Sequence, residues 1–266
     1  MKKLMFAAAA MAAGAAMAVE SQVVGYETLD WMAKGEYYMM GMQFETTAGT
    51  AAKLADVNFG ALSGPYYSDD GAWKTTAPQV QIAFATTEGN TAYYFLADGN
   101  ESYDGPGWVD QTGNHADPDL GAAIGFWFRD PVSDKPTFNP AGQVMPDSPW
   151  SKTFTKVDYF MLVNPFPMDT KMSDISFSDL ETSAPYYSDD GAWKNTATQL
   201  QVPFATSEGF TAYYFLADGN ETYDGPGWVD QTGNNVDITK VVIPAGRGCW
   251  FRPGAANMSV EFSLEK

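Results

Sequence analysis

Residues 65–114 read PYYSDDGAWKTTAPQVQIAFATTEGNTAYYFLADGNESYDGPGWVDQTGN, and residues 185–234 repeat them with agreement at 42 of 50 positions. Within the stretch, QVQIAFA (residues 79–85) sets Val80, Ile82 and Phe84 in alternation with Gln79, Gln81 and Ala83, the period of a half-buried strand. The second copy keeps that face as Leu200, Val202 and Phe204, swaps of the kind a packed surface tolerates. Pro203 stands where the first copy has Ala83; it cannot donate to a ladder, which predicts an edge strand or a bulge. TAYYFLADGN (residues 91–100) reads as a second strand, joined to the first by a short Gly-containing loop.

Outside the block, further strands are expected at residues 23–28, 37–45, 57–62 and 125–129. Helical composition is confined to short stretches near Thr50 and Asp119. Turn strings such as DDGA, ADGN, YDGPG and QTGN punctuate the chain at the spacing of sandwiches and barrels. The expected fold is all-β, with β-sandwich or β-barrel-like units.

The duplication extends past the block. YYMMGMQF (residues 37–44) aligns with YFMLVNPF (159–166), ADVNFGAL (55–62) with SDISFSDL (173–180), and FWFRDP (126–131) with CWFRPG (249–254). The order is the same in both halves, which predicts two tandem homologous domains, residues 19–140 and 141–266, with the boundary in the Pro-rich stretch 130–149. Trp127 and Trp250, flanked by aromatics in their strands, are expected in the core.

Residues 1–18 have the form of a signal peptide. Lys2 and Lys3 precede an Ala-rich apolar run that ends in the small-x-small string AMA. Cleavage before Val19 would deliver the chain to the periplasm or the outside of a bacterial cell. Without those two lysines 33 acids face 13 bases, a formal −20, so nucleic acid and anionic membrane surfaces are poor partners. No later stretch reads as a membrane span, so no membrane insertion is expected. The single cysteine, Cys249, allows no intrachain disulfide and replaces Phe126 of the first copy, which marks it as a small buried apolar residue.

The halves resemble a family of uncharacterised exported bacterial β-modules. Such modules open on a VVGY strand, here residues 23–26, and close on a Gly-aromatic-Trp-aromatic strand after a PAG-like turn, here IPAGRGCWFRP (243–253) and AIGFWFRDP (123–131). The resemblance implies a structural frame and export, and it carries no catalytic residue.

Three chemistries remain for the repeated block. Aromatic faces beside polar side chains suit sugar rings: Tyr66, Trp73, Tyr103 and Trp108 in the first copy, Tyr186, Trp193, Tyr223 and Trp228 in the second. A polysaccharide or another envelope component is the expected partner, and two copies would add avidity. Trp73, Trp108, Trp193 and Trp228 sit among Asp, Gly and Pro, which predicts that at least one pair is partly exposed. Oxygen-rich Gly turns could hold calcium through Asp98, Asn100 and Asp104 and their counterparts Asp218, Asn220 and Asp224; the competing reading is simple Asx turns. The runner-up class is an extracellular carboxylate-based hydrolase such as a glycosidase, for which acids are plentiful but no residue is singled out as catalytic. His115, the sole histidine, is Asn235 in the second copy, so a His-based nucleophile pair has no repeat. Retention of Gln79, Gln81, Glu88 and Glu101 in both copies reads as a shared surface, the alternative being homogenisation of the block by recombination.

Overall fold

The computed structural model describes residues 24–26, 28–46, 50–84, 89–100, 105–120, 124–144, 149–205, 207, 209–219 and 225–263. The expected leader, residues 1–18, lies outside them.

Among the described residues twenty strands run in chain order. The first ten are β1 (Val24–Tyr26), β2 (Tyr38–Gly41), β3 (Phe44–Glu45), β4 (Ala52–Lys53), β5 (Gln79–Ala83), β6 (Asn90–Leu96), β7 (Gly107–Val109), β8 (Asp119–Leu120), β9 (Gly125–Arg129) and β10 (Ala141–Val144). The others are β11 (Trp150–Phe154), β12 (Phe160–Val163), β13 (Thr170–Lys171), β14 (Ile175–Phe177), β15 (Thr198–Pro203), β16 (Phe210–Leu216), β17 (Gly227–Val229), β18 (Val242–Ile243), β19 (Gly248–Arg252) and β20 (Met258–Phe262). Helix is limited, among the described residues, to one turn, α1 (Trp73–Thr76), and a few 3₁₀ turns. The protein is all-β.

Two five-stranded antiparallel sheets share one plan: β2-β9-β5-β6-β7 and β12-β19-β15-β16-β17. The repeated block supplies β5, β6 and the edge strand β7 of one sheet and β15, β16 and β17 of the other, with Gln79 opposite Tyr94 in the first and Gln199 opposite Tyr214 in the second. Two-stranded ribbons β4-β8 and β13-β18 also correspond. In the second half β11-β20-β14 covers the large sheet, and Phe154, Ile175, Met258, Val260 and Phe262 meet Leu200, Cys249 and Phe251 between them. In the first half the matching cover is thinner. Bridges Leu29–Phe138 and Asn58–Asn139 carry Leu29, Phe59 and Phe138 onto Phe126 and Phe128. Each such buried aromatic contributes about 1.5–3 kcal/mol by leaving water.

The opposite face of each large sheet has a cover of its own. Period-two alternation in β6 turns Tyr93 and Phe95 toward the main core and Ala92, Tyr94 and Leu96 toward a second cluster with Trp73, Ala77 and Val109. The second copy rebuilds that cluster from Trp193, Ala197, Ala212, Tyr214, Leu216 and Val229. A sheet covered on both faces constrains both sides of its inner strands β5 and β6. Gln79 is 5% exposed and accepts from the Tyr37 hydroxyl; Gln199 accepts from Tyr159 at 2.7 Å. Their retention in both copies is therefore explained by buried hydrogen bonding, not by a shared surface.

Several sequence expectations are corrected. Pro203 lies on the central strand β15, at its last residue, beyond the Gln199–Gln201 segment that pairs with β19. The missing donor thus falls where that ladder has already ended. Residues 57–62 form no strand beyond the Asn58 bridge, residues 54–56 form a 3₁₀ turn, and Asp119 begins β8 instead of a helix. The buried face of β5 fades toward its hairpin, where Phe84 is 44% exposed and Phe204 45%. Cys249 is fully buried, donates to the Leu162 carbonyl at 3.2 Å, and has its thiol pushed up by burial. Strand β10, which starts just past residue 140, pairs with β1 and β3 of the first half.

The halves meet along β2 and β12. The Gly41 N–H donates to the Gly246 carbonyl at 2.9 Å, and Met40 bridges Arg247. A Cβ on Gly41 would overlap the Val163 side chain, and one on Gly125 would overlap Met161, so only glycine allows this approach.

Candidate functional site

The structure buries the four tryptophans expected at a binding surface. Trp73, Trp108 and Trp193 are 3% exposed and Trp228 is 6%. Trp73 donates from its indole N–H to the Ser68 carbonyl at 3.0 Å and lies edge-on to Tyr94; Trp193 does the same with Ser188 and Tyr214. Trp73 and Trp193 lie in short helical turns and Trp108 and Trp228 in β7 and β17; all four indoles are buried, and those of Trp73 and Trp193 have their one donor satisfied. The expectation for Trp127 and Trp250 is also corrected. Strand alternation buries Phe126 and Phe128 but turns Trp127 to the other face, where it is half-buried against Trp250.

Tyr66 and Tyr186 are the exposed members of the predicted set, at 74% and 73%. Each is fixed by a parallel bridge, to Asp98 or Asp218. Tyr67 beside it packs on Gly113, which has φ +83°, and a Cβ there would collide with the ring. Tyr103 and Tyr223 lie outside the described residues.

The acidic turns are tied to the backbone. The Asp98 carboxylate accepts from Gly105 N–H and Asp218 from Gly225 N–H, both at 2.9 Å. The Asn100 side chain donates to Asn114 at 2.6 Å. Asp104, Asn220 and Asp224 lie outside the described residues, and among those described no three acidic, His or Cys side chains group to hold a metal. The hydrogen bonds from the Ser68 hydroxyl and Ala72 N–H hold the Asp70 carboxyl below its ordinary value, and Asp190 has the same pair from Ser188 and Ala192. Burial opposes ionisation of Asp110, yet Thr112 and Asn114 together outweigh it and hold that carboxyl low as well. A glycosidase acid needs the opposite shift.

What the two halves share at the surface is a groove. In the first half it has a volume of about 450 Å³ and is walled by Asn58, Phe59, Ala61, Leu62 and Phe95, with Trp108 at its floor. In the second it measures about 520 Å³ between Ser176, Phe177, Leu180 and Phe215, with Trp228 in the same place. The wall residues occupy matching positions: Phe59 with Phe177, Leu62 with Leu180, Phe95 with Phe215. Phe59 stands 5.5 Å from Trp108, and Phe177 stands 5.3 Å from Trp228. These walls come partly from the diverged flanks, so sequence reasoning centred on the block did not find them. The alignment of ADVNFGAL with SDISFSDL was the signal.

Set against known families, curated proteins and solved structures, the chain matches none. The fold and the grooves define an all-β protein of antiparallel sheets with a matching aromatic-walled groove in each half.

Proposed function

We propose that this is an exported binding or structural protein of the cell envelope or extracellular matrix that holds a polysaccharide in its two matching grooves. The observation that carries this reading is the recurrence of one groove, with Phe, Leu and Trp in equivalent places, in both halves. Aromatic walls suit the apolar faces of sugar rings, and two sites on one chain raise avidity on a repeating polymer. The acidic leader-bearing sequence supports export.

The test is a glycan array run on protein lacking residues 1–18, with and without calcium. Bound polysaccharide should be released by the double variant Ala61→Arg and Ser176→Arg, which places a long charged chain at an exposed position on each groove wall. Surface changes of this kind shift stability by only about 0.5 kcal/mol, so unfolding should be unaltered. An array with no retained glycan, or retention indifferent to the double variant, would refute the reading.

A further inference from the structure

Another cavity lies between the halves and shares no residue with the two matching grooves. It has a volume of about 330 Å³ and is lined by Tyr37, Met39 and Trp127 from the first half and Gly209, Phe210 and Arg247 from the second. Two of these residues break the repeat. Phe210 replaces Asn90, the largest change of character within the fifty-residue block, and Arg247 replaces Ile124. The duplication therefore gives this cavity once, and the second copy alone supplies its cation and one of its rings.

Arg247 is 2% exposed. Its Nε donates to the Met39 carbonyl at 3.0 Å, and Nη1 donates to Phe204 at 2.7 Å and Ala205 at 3.1 Å. Its guanidinium lies 4.6 Å from the centre of the Trp31 ring and 5.9 Å from that of Tyr38. Among the described residues no carboxylate pairs with it, and Nη2 meets no acceptor. Burying a charge is costly unless it is paired, and carbonyls and rings supply only part of the compensation. The remaining nitrogen, Nη2, can donate a charge-assisted hydrogen bond to a carboxylate oxygen.

We propose that this cleft binds a small monocarboxylate built on a six-membered ring, with the carboxylate on Arg247 and the ring against Trp127, Tyr37 and Phe210. The volume lies at the lower end of the roughly 300–1,000 Å³ range of ligand sites, which favours a single ring over an oligomer. A sugar acid and an aromatic acid share this chemistry, and the experiment separates them.

Titration calorimetry would use galacturonate and phenylacetate, each beside its uncharged partner, galactose or phenylacetamide. One acid should bind about tenfold or more tighter than its neutral partner, the effect of a charge-assisted hydrogen-bonded pair. Galacturonate binding identifies a sugar acid, and phenylacetate binding an aromatic acid. Phe210→Asn restores the first-copy residue at a side chain that is 45% exposed, so it should weaken binding several-fold with an unchanged melting temperature. Arg247→Met should abolish the preference for the acid; if that variant fails to fold, Phe210→Asn decides. Equal affinity for acid and neutral partner, no heat with either acid at about 10 mM, or wild-type binding by Phe210→Asn would overturn the proposal. The Ala61→Arg, Ser176→Arg protein should retain this binding, so failure here and failure at the grooves are told apart.

Discussion

Trp127 and Trp250 occupy the same position in the two copies, and they touch each other, with ring centroids 6.0 Å apart and planes inclined at 54°. Equivalent residues in mutual contact are the mark of a two-fold arrangement, in which one patch meets its own copy. Gly41 against Val163 repeats the pattern, since these positions also correspond. Arg247 breaks the symmetry by reaching from the second half to the Met39 carbonyl of the first. The boundary between copies is thus a packed surface with one directional clamp.

The pairing of β10 with both β1 and β3 sets where a first-half fragment must end. A fragment of residues 19–148 should be more stable to urea than one of residues 19–140, by about 2 kcal/mol or more, because each ladder hydrogen bond contributes about 0.5–1.5 kcal/mol. Equal midpoints would mean that β10 adds nothing and that the boundary at 140 is adequate.

Burial separates the tryptophans from the tyrosines. Trp108→Ala and Trp228→Ala should each cost about 3–5 kcal/mol, since each leaves a cavity beside Phe59 or Phe177. Tyr66→Ala and Tyr186→Ala should stay within about 0.5 kcal/mol, as exposed side chains do. Denaturant unfolding of the four single variants checks both statements, and a mild effect at Trp108 would contradict its placement in the core.

The acidic turns imply a defined acid limb. Asp70, Asp110, Asp190 and Asp230 all have folded values below the ordinary one. A depressed folded pKa adds stability that is complete above the unfolded value of about 3.9 and disappears as pH falls through the folded value. Thermal stability should therefore hold from neutral pH to about 5 and drop below about 4. Asp110→Asn with Asp230→Asn should lower the neutral plateau and flatten the drop; an unchanged acid limb would mean that these carboxylates are not the groups responsible.

Alternation in residues 79–85, 91–96 and 125–129 determined three strands of the large sheet, and the repeat determined that the sheet occurs twice. These features were legible because a strand's faces follow a period of two that depends only on local backbone geometry. The glycine turns were legible for a similar reason, since a positive φ, as at Gly71 and Gly191, is a local requirement. Composition around Trp73 and Trp108 gave no hint that Trp73 opens the helical turn α1 and Trp108 lies in strand β7, both with buried indoles. Which face is covered depends on segments distant in sequence, such as Phe59 over Trp108 and Phe177 over Trp228. The same limit applied to Arg247, an ordinary arginine in the string PAGRG until β2 of the other half is set against it. Local alternation and glycine turns settled those strands and turns alone. The grooves, the buried indoles and the cleft between the halves arise where separate segments compete to exclude water, and only the tertiary structure decides that.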